Sequence, residues 1–406
     1  MGGSQPLRVL VLDVLWRERG GEKVPIVLGG LQLHQRVLEY LNKKVLTIGL
    51  TSYPPAFKHK ITYSVKQGCG KLPRLEFYKY LMRLIITLWR IISRHKPHII
   101  YNSGVGWHND WLALIAKLAG LKVASYFHHY ALPGGRVIYP KSILDLPALT
   151  RMCREIKRTN RFPFFKLMDY LILFLQLRFA DVVFTGTSFG LDQLRGLGRR
   201  GPIILTGIGI DLEEFKEVAP AVGERVWDGL FVGRMAPEKG VYDLLFIWRR
   251  VVDAIPDAKL AVVGKIVQPY YDRWVKILKK LNLERNVFHL GELKREELLE
   301  TYYKAKIFVF PSKMEGAGIA IAEAMAAGLV VIAYPLPAYK SLYSNAKSVY
   351  FCNTVEAFSK KIISLLKSDR QLERLGGYNR EYALKNFSWE NVSEKIYLRI
   401  AGDSNK

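Results

Sequence analysis

Short runs of β-branched and other apolar residues alternate with amphipathic helical patterns along most of the chain. Residues 7–14 (LRVLVLDV) read as a buried strand. An irregular charged loop follows over 15–28. Gly29-Gly30 then leads into a helical pattern that sets Leu31, Val37, Leu38 and Leu41 on one face. Further strands are expected at 45–50, 98–101 and 121–127, with helices at 74–94 and 110–120. The second half repeats the alternation. Its strands are expected at 229–233, 258–263, 286–290, 307–310 and 329–333, and its helices at 241–254, 271–282, 295–304 and 319–327. Strand–helix–strand order of this kind implies a parallel sheet, because each connection must carry the chain back across one face. The chain has 406 residues, and one core rarely serves more than about 250–300. Two doubly wound α/β halves are therefore the expected architecture. The stretch 207–228 has no sustained periodicity and takes the boundary.

Composition removes several alternatives. Half of the residues are hydrophobic and 24% are charged, which suits a globular chain and not a disordered or collagen-like one. Cys69, Cys153 and Cys352 are widely separated and form no CxxC pair. That argues against a disulfide framework or a zinc site and fits a reducing compartment. The best candidate for a membrane span, Phe162 to Phe184, is broken by Lys166, Asp169, Arg178 and Asp181, and a span needs about 18–20 uninterrupted apolar residues. The start, MGGSQPLRVLVLDV, lacks a signal-peptide layout and resembles a myristoylation signal only weakly. A cytoplasmic location is expected, with peripheral attachment to the inner face of the membrane. The net charge of +25 is uneven: residues 1–210 hold 31 Lys and Arg against 11 Asp and Glu, whereas residues 211–406 hold 30 against 25. The first half is expected to meet an anionic partner.

Two windows lie where a strand hands over to a helix, at the carboxyl edge where doubly wound sheets bind ligands. In FPSKMEGAGIAIAEAMAAGLVVIA (residues 310–333), small residues let a ligand approach the backbone, and a helix N-terminus offers unpaired N–H groups to a diphosphate. Glu315 and Glu323 are eight positions apart, about 12 Å if both were helical, a span suited to different hydroxyls of one extended ligand. The alternative is two surface carboxylates. In GRMAPEKG (residues 233–240), Arg234 and Lys239 are placed to neutralise phosphate charge. Basic residues at such turns are also common without a ligand.

Together, GRMAPEKG and PSKMEGAGIAIAEAMAAG resemble the two hallmark segments of the retaining nucleotide-sugar glycosyltransferases of family 4 (glycosyl transferases group 1), whose fold is called GT-B. The E-x7-E spacing from Glu315 to Glu323 matches. Residues 206–215 (TGIGIDLEEF) are similar to the family's interdomain segment, 287–291 (VFHLG) to a strand and loop, and 387–390 (FSWE) to the start of its closing helix. The sequence departs from the pattern at Ile208, Ala317, Leu329-Val330 and Tyr334–Tyr339. The resemblance implies two Rossmann-like domains facing each other across a cleft. These are an acceptor domain over 1–210, a nucleotide-sugar donor domain over 211–385, and a helix over 386–406 that crosses back to the first domain. It also implies roles. Arg234 and Lys239 would hold the donor diphosphate. Gly316, Ala317 and Gly318 would present backbone N–H groups to sugar and phosphate. Glu315 would contact the donor hexose, and Glu323 the ribose hydroxyls. Gly29 and Gly30 would close over the diphosphate, and His128 would touch the donor sugar. On chemistry alone, His129 competes with His128, and His108 reads equally as a cap of a helix starting near Asp110. No metal or other cofactor is expected, because the basic pair does the work of a cation.

A further pattern is basic and aromatic. Arg83, Arg90 and Arg94 recur on the 74–94 helix beside Leu81, Leu84, Ile85, Leu88 and Trp89, and Arg151, Arg154, Lys157, Arg158, Arg161 and Lys166 flank Phe162, Phe164 and Phe165. Such segments suit an anionic membrane surface, although a solvated basic face or thermal adaptation would give the same composition. The expected function is transfer of a sugar, with retention, from a nucleoside-diphosphate sugar to a hydroxyl acceptor that is lipid-linked or part of a glycan at the membrane surface. The alternatives are a nucleotide-sugar epimerase on the same fold, or a non-catalytic basic protein binding membrane or nucleic acid. Nucleic acid is disfavoured, since RRM, KH and zinc signatures are missing.

Overall fold

The computed structural model describes residues 6–13, 29–53, 59–66, 73–103, 107–127, 163–218 and 225–404. It divides into two units, Met1–Gly207 with Trp389–Lys406, and Ile208–Ser388.

Among the described residues, the first unit is built on seven parallel strands: β1 (Arg8–Asp13), β2 (Leu46–Tyr53), β3 (Ile61–Lys66), β4 (Ile99–Asn102), β5 (Val123–Phe127), β6 (Val182–Thr185) and β7 (Ile203–Leu205). Their order in the sheet is β3-β2-β1-β4-β5-β6-β7. The two-residue period of a strand sends alternate side chains to opposite faces. Leu10 and Leu12 of β1 join Tyr80, Leu84, Leu88 and Ile91 of helix Pro73–His95 in one core. Val9 and Val11 join Val37, Leu38 and Leu41 of helix Gly29–Lys44 in another. That second core is completed by Val392, Ile396 and Ile400 of the last helix, Trp389–Ser404. Tyr40 and Tyr397 pack with ring centroids 6.2 Å apart, and Lys395 Nζ donates to the Thr206 carbonyl at 3.1 Å.

Among the described residues, the second unit holds six parallel strands: β8 (Trp227–Val232), β9 (Leu260–Val263), β10 (Val287–Gly291), β11 (Ala305–Phe310), β12 (Val330–Ala333) and β13 (Val349–Phe351), ordered β10-β9-β8-β11-β12-β13. β8, β9 and β10 step one way across the sheet, and β11, β12 and β13 step the other way. The order therefore reverses between β8 and β11, which pair in parallel with Ile307 opposite Gly229 and Phe308 opposite Leu230. The loops leaving the carboxyl ends of these two strands flank the crevice where doubly wound sheets bind ligands.

Several elements differ from the sequence reading. Helix Trp107–Leu118 starts at Trp107, not near Asp110, so His108 lies inside the helix and does not cap it. Asp110 in its first turn accepts from Asn102 Nδ2 at 2.9 Å. Gly29 and Gly30 form the first turn of their helix, not a lead-in to it. The stretch assigned to the boundary contains a short helix, Leu212–Val218, whose Phe215 is buried. Among the described residues, no helix is long and apolar enough to cross a membrane.

Candidate functional site

The loop after β8 is shaped by backbone pairing. Gly233 N–H donates to Val263 O at 2.9 Å and Met235 N–H to Lys265 O at 2.9 Å, so the chain runs past the end of β9 before turning. Pro237 opens a single 3-10 turn, Pro237–Lys239, and Gly240 follows with φ 72° as the N-cap of helix Val241–Ala254. Only glycine fits there. A Cβ on Gly240 would stand 1.8 Å from the Pro311 carbonyl oxygen, and the left-handed backbone would strain any other residue.

Pro311 opens the loop after β11, so the two loops touch at Gly240. They are also hydrogen-bonded. The Glu238 carbonyl accepts from Lys313 N–H at 2.8 Å and from Ser312 Oγ at 3.2 Å. The second loop ends at Gly318, with φ 67°, which caps helix Ile319–Ala326. A Cβ on Gly318 would lie 2.6 Å from the Tyr339 ring. Tyr343 donates its hydroxyl to the carbonyls of Ala317 and Gly318, each at 3.0 Å. The glycine-rich turn is thus held by two buried tyrosines, Tyr339 and Tyr343.

Across these loops, Lys239 Nζ is ion-paired with Glu315 Oε1, and both side chains are largely buried, 17% and 13% exposed. The same carboxylate oxygen accepts from Ser312 Oγ at 3.2 Å. Arg234 stands outside this pair. It is 55% exposed and bonds Glu238 Oε1 at 3.1 Å, one helical turn along its own loop. The β8 loop therefore brings two cations, Lys239 and the more exposed Arg234, and the β11 loop one carboxylate, Glu315, beside a helix N-terminus. A diphosphate can displace Glu315 from Lys239, leaving the carboxylate to accept hydroxyl hydrogen bonds.

Glu323 has a different setting. It lies inside helix Ile319–Ala326, only 7% exposed. Its Oε1 is 2.6 Å from Arg295 Nη1 and its Oε2 accepts from Tyr302 OH at 3.0 Å. Arg295 also binds Glu214 at 2.7 Å and lies over the Phe215 ring. Burial opposes the Arg295 charge, but the carboxylates of Glu323 and Glu214 outweigh it and hold the guanidinium above its ordinary pKa. Burial, reinforced by Glu323, likewise keeps the Tyr302 hydroxyl protonated.

Ser312, Tyr343, Arg295 and Tyr302 carry roles that sequence reading did not assign. Ser312 lay inside the quoted window with nothing to mark its hydroxyl. Arg295 sits in a Lys-Arg-Glu-Glu run, which reads as a solvated helix start. Gly316 and Ala317 lie half-buried in the β11 loop as placed by their window. Gly29 and Gly30 belong to the first unit. His128 and His129, just past β5, lie outside the described residues, as do Arg154, Lys157, Arg158 and Arg161. Among the described residues, no three His, Cys, Asp or Glu side chains are grouped to hold a metal ion.

Residues 214–382 match the family model described as glycosyl transferases group 1. A mannosyltransferase of Corynebacterium glutamicum, named as GDP-mannose-dependent and acting on a monoacylated phosphatidylinositol monomannoside, is 29% identical over 40% of this chain and 44% of its own. The Arabidopsis thaliana sulfoquinovosyl transferase SQD2 is 26% identical over 75% of this chain and 56% of its own. The chain thus spans about half the length of the curated relatives it matches. Among solved structures, sucrose-phosphate synthase from Thermosynechococcus elongatus aligns with a TM-score of 0.70 at 17% identity, over 98% of each chain. HepE from Anabaena, in complex with UDP and glucose, aligns with a TM-score of 0.68 at 14% identity, over 98% of this chain and all of its own. These likenesses show the GT-B fold.

Proposed function

We propose, for a chain whose residues 214–382 belong to the glycosyl transferases group 1 family, that it moves a sugar from a nucleoside-diphosphate sugar to a hydroxyl acceptor with retention of anomeric configuration. The observation that carries this reading is the Lys239–Glu315 pair, joined across the two loops at the strand-order reversal of the second sheet. Lys239 and Arg234 hold the diphosphate and stabilise its charge as it leaves. The amides of Gly316, Ala317 and Gly318 add neutral donors. Glu315 accepts from hexose hydroxyls, and Glu323, fixed by Arg295 and Tyr302, accepts from the ribose. The amides of Gly29 and Gly30 are assigned to the same diphosphate, and His128 to the donor sugar.

In the transfer step the acceptor oxygen bonds to the anomeric carbon as the bond from that carbon to the diphosphate oxygen breaks. The acceptor proton passes to a phosphate oxygen of the leaving group, on the same face of the sugar. The two cations supply the charge stabilisation that a divalent metal provides elsewhere. A lipid-linked acceptor, met at the inner face of a membrane, is supported by the basic first half of the chain and by the acceptor in the printed name of the C. glutamicum relative.

The test is turnover with UDP-, GDP- and ADP-sugars, with products read by mass spectrometry, the anomer by NMR, and chelator present throughout. Transfer with retention in chelator is expected. No turnover and no nucleotide binding would overturn the reading.

A further inference from the structure

Helix Pro73–His95 has two apolar faces. At about 100° per residue, Tyr80, Leu84, Leu88 and Ile91 fall within about 80° of one another, and all four are buried in the first unit's core. Met82, Ile86 and Trp89 fall within about 60° of one another on the opposite side. They are 54%, 47% and 45% exposed. A globular surface helix needs only the first stripe. Arg83, Arg90 and Arg94 form a third stripe within about 40°, roughly a quarter-turn from the exposed apolar one. All three are exposed, and among the described residues none is ion-paired. Glu76, near the start, is the helix's only acidic residue. Between this helix and β3, the edge strand of the sheet, lies an open groove of about 700 Å³ lined by Tyr63, Ile86, Trp89, Arg90, Ser93 and Arg94.

We propose that this face of helix Pro73–His95 docks the protein on an anionic lipid bilayer, with Met82, Ile86 and Trp89 entering the headgroup boundary and Arg83, Arg90 and Arg94 pairing with lipid phosphates. The apolar stripe alone would suit several partners. The arginines on one flank of it, none ion-paired among the described residues, commit the occupant to a negatively charged surface that also accepts apolar side chains. Trp89 is suited to the boundary because its ring is apolar and its N–H is polar. The groove at Arg90 and Arg94 gives one phosphate headgroup a seat. This deepens the membrane-surface part of the function proposed above and rests on that part alone, since docking is read without any sugar transfer.

The experiment is co-sedimentation of the full chain with vesicles of phosphatidylglycerol and phosphatidylcholine, and with vesicles of phosphatidylcholine alone. Binding is expected to the mixed vesicles only, and to weaken as salt rises. The triple variant R83Q/R90Q/R94Q should bind on the order of 100-fold more weakly, about fivefold per arginine. Trp89→Ala should also weaken binding. A control with the same charge change on exposed residues of the second unit, K276Q/K279Q/K280Q, should bind as the parent does. Equal loss in the control, equal recovery with both vesicle types, or self-association abolished by Trp89→Ala in place of vesicle binding would each overturn the proposal. Thermal melts of each variant separate loss of docking from loss of fold. Nucleotide binding, measured in parallel, shows whether the transfer reading stands or falls separately.

Discussion

Lys239 and Glu315 are 76 positions apart in the chain and meet because β8 and β11 are neighbours. A pair that works as a unit has a kinetic signature. Lys239→Met and Glu315→Gln are each expected to lower kcat by about 10²- to 10³-fold. The double variant should be little worse than the worse single one, because each single change already dismantles the pair. Steady-state kinetics of the three variants check this, and additive losses would show two independent roles. Gly240 gives a second prediction at this scale. Gly240→Ala combines a left-handed backbone with a Cβ placed 1.8 Å from the Pro311 oxygen. The backbone alone costs about 1–2 kcal/mol, and the clash adds to it by forcing the loops apart. Denaturant unfolding should show a loss larger than the backbone cost, with nucleotide affinity falling too. A near-parental midpoint would mean that the loops are not in contact there.

Three helices of the second unit converge on Arg295. Its own helix, Arg295–Tyr303, is tied through it to Glu323 in Ile319–Ala326 and to Glu214 in Leu212–Val218. Removing one partner of a buried pair leaves a charge uncompensated and costs about 3–5 kcal/mol. Because Arg295 is 29% exposed, Arg295→Ala should fall near the lower end of that range, with Glu323 losing its fixed rotamer. Unfolding curves give the first effect. The second is a rise in donor KM that Arg295→Lys partly restores. The last helix, Trp389–Ser404, makes a comparable prediction for the other unit. Ile396 is fully buried against β1 and helix Gly29–Lys44. Ile396→Ala should cost about 2–5 kcal/mol, and hydrogen exchange should rise in helix Gly29–Lys44 while β8 and β11 stay protected. Faster exchange confined to β8 and β11 would place the helix in the wrong core.

The molecule as a whole should respond to its donor. Any ligand that binds only the folded chain stabilises it, by about 2.7 kcal/mol at a hundredfold excess over Kd. A nucleoside diphosphate at that excess is expected to raise the unfolding midpoint of the parent, and to raise it much less in Lys239→Met. A shift of equal size in both would remove Lys239 from the diphosphate site. Charge acts on the same scale but in the other half of the chain. The excess of Lys and Arg over residues 1–210 lies outside the loops after β8 and β11, which belong to the second unit, and the docking face proposed for helix Pro73–His95 would give part of that excess a use.

Sequence alone determined what depends on local periodicity and local chemistry. The strand and helix alternation was enough for two parallel α/β halves. The runs at 241–254 and 319–327 became helices Val241–Ala254 and Ile319–Ala326 with little change at their ends. The loops after β8 and β11 were legible because glycine, proline and charged residues cluster there between a strand pattern and a helix pattern. β3 and helix Leu212–Val218 were missed, since six- and seven-residue elements in polar surroundings carry too few apolar positions to show a period. What tertiary structure decided was adjacency. Strand order, set by how the crossovers pack, brings the loops after β8 and β11 together, and no pattern within either loop contains that fact. Packing also buries Glu323 between Arg295 and Tyr302, although E-x7-E spacing reads the same for an exposed carboxylate. The opposite apolar faces of helix Pro73–His95 are alike in the sequence, and only the packed sheet distinguishes the one that is core from the one left to meet a partner.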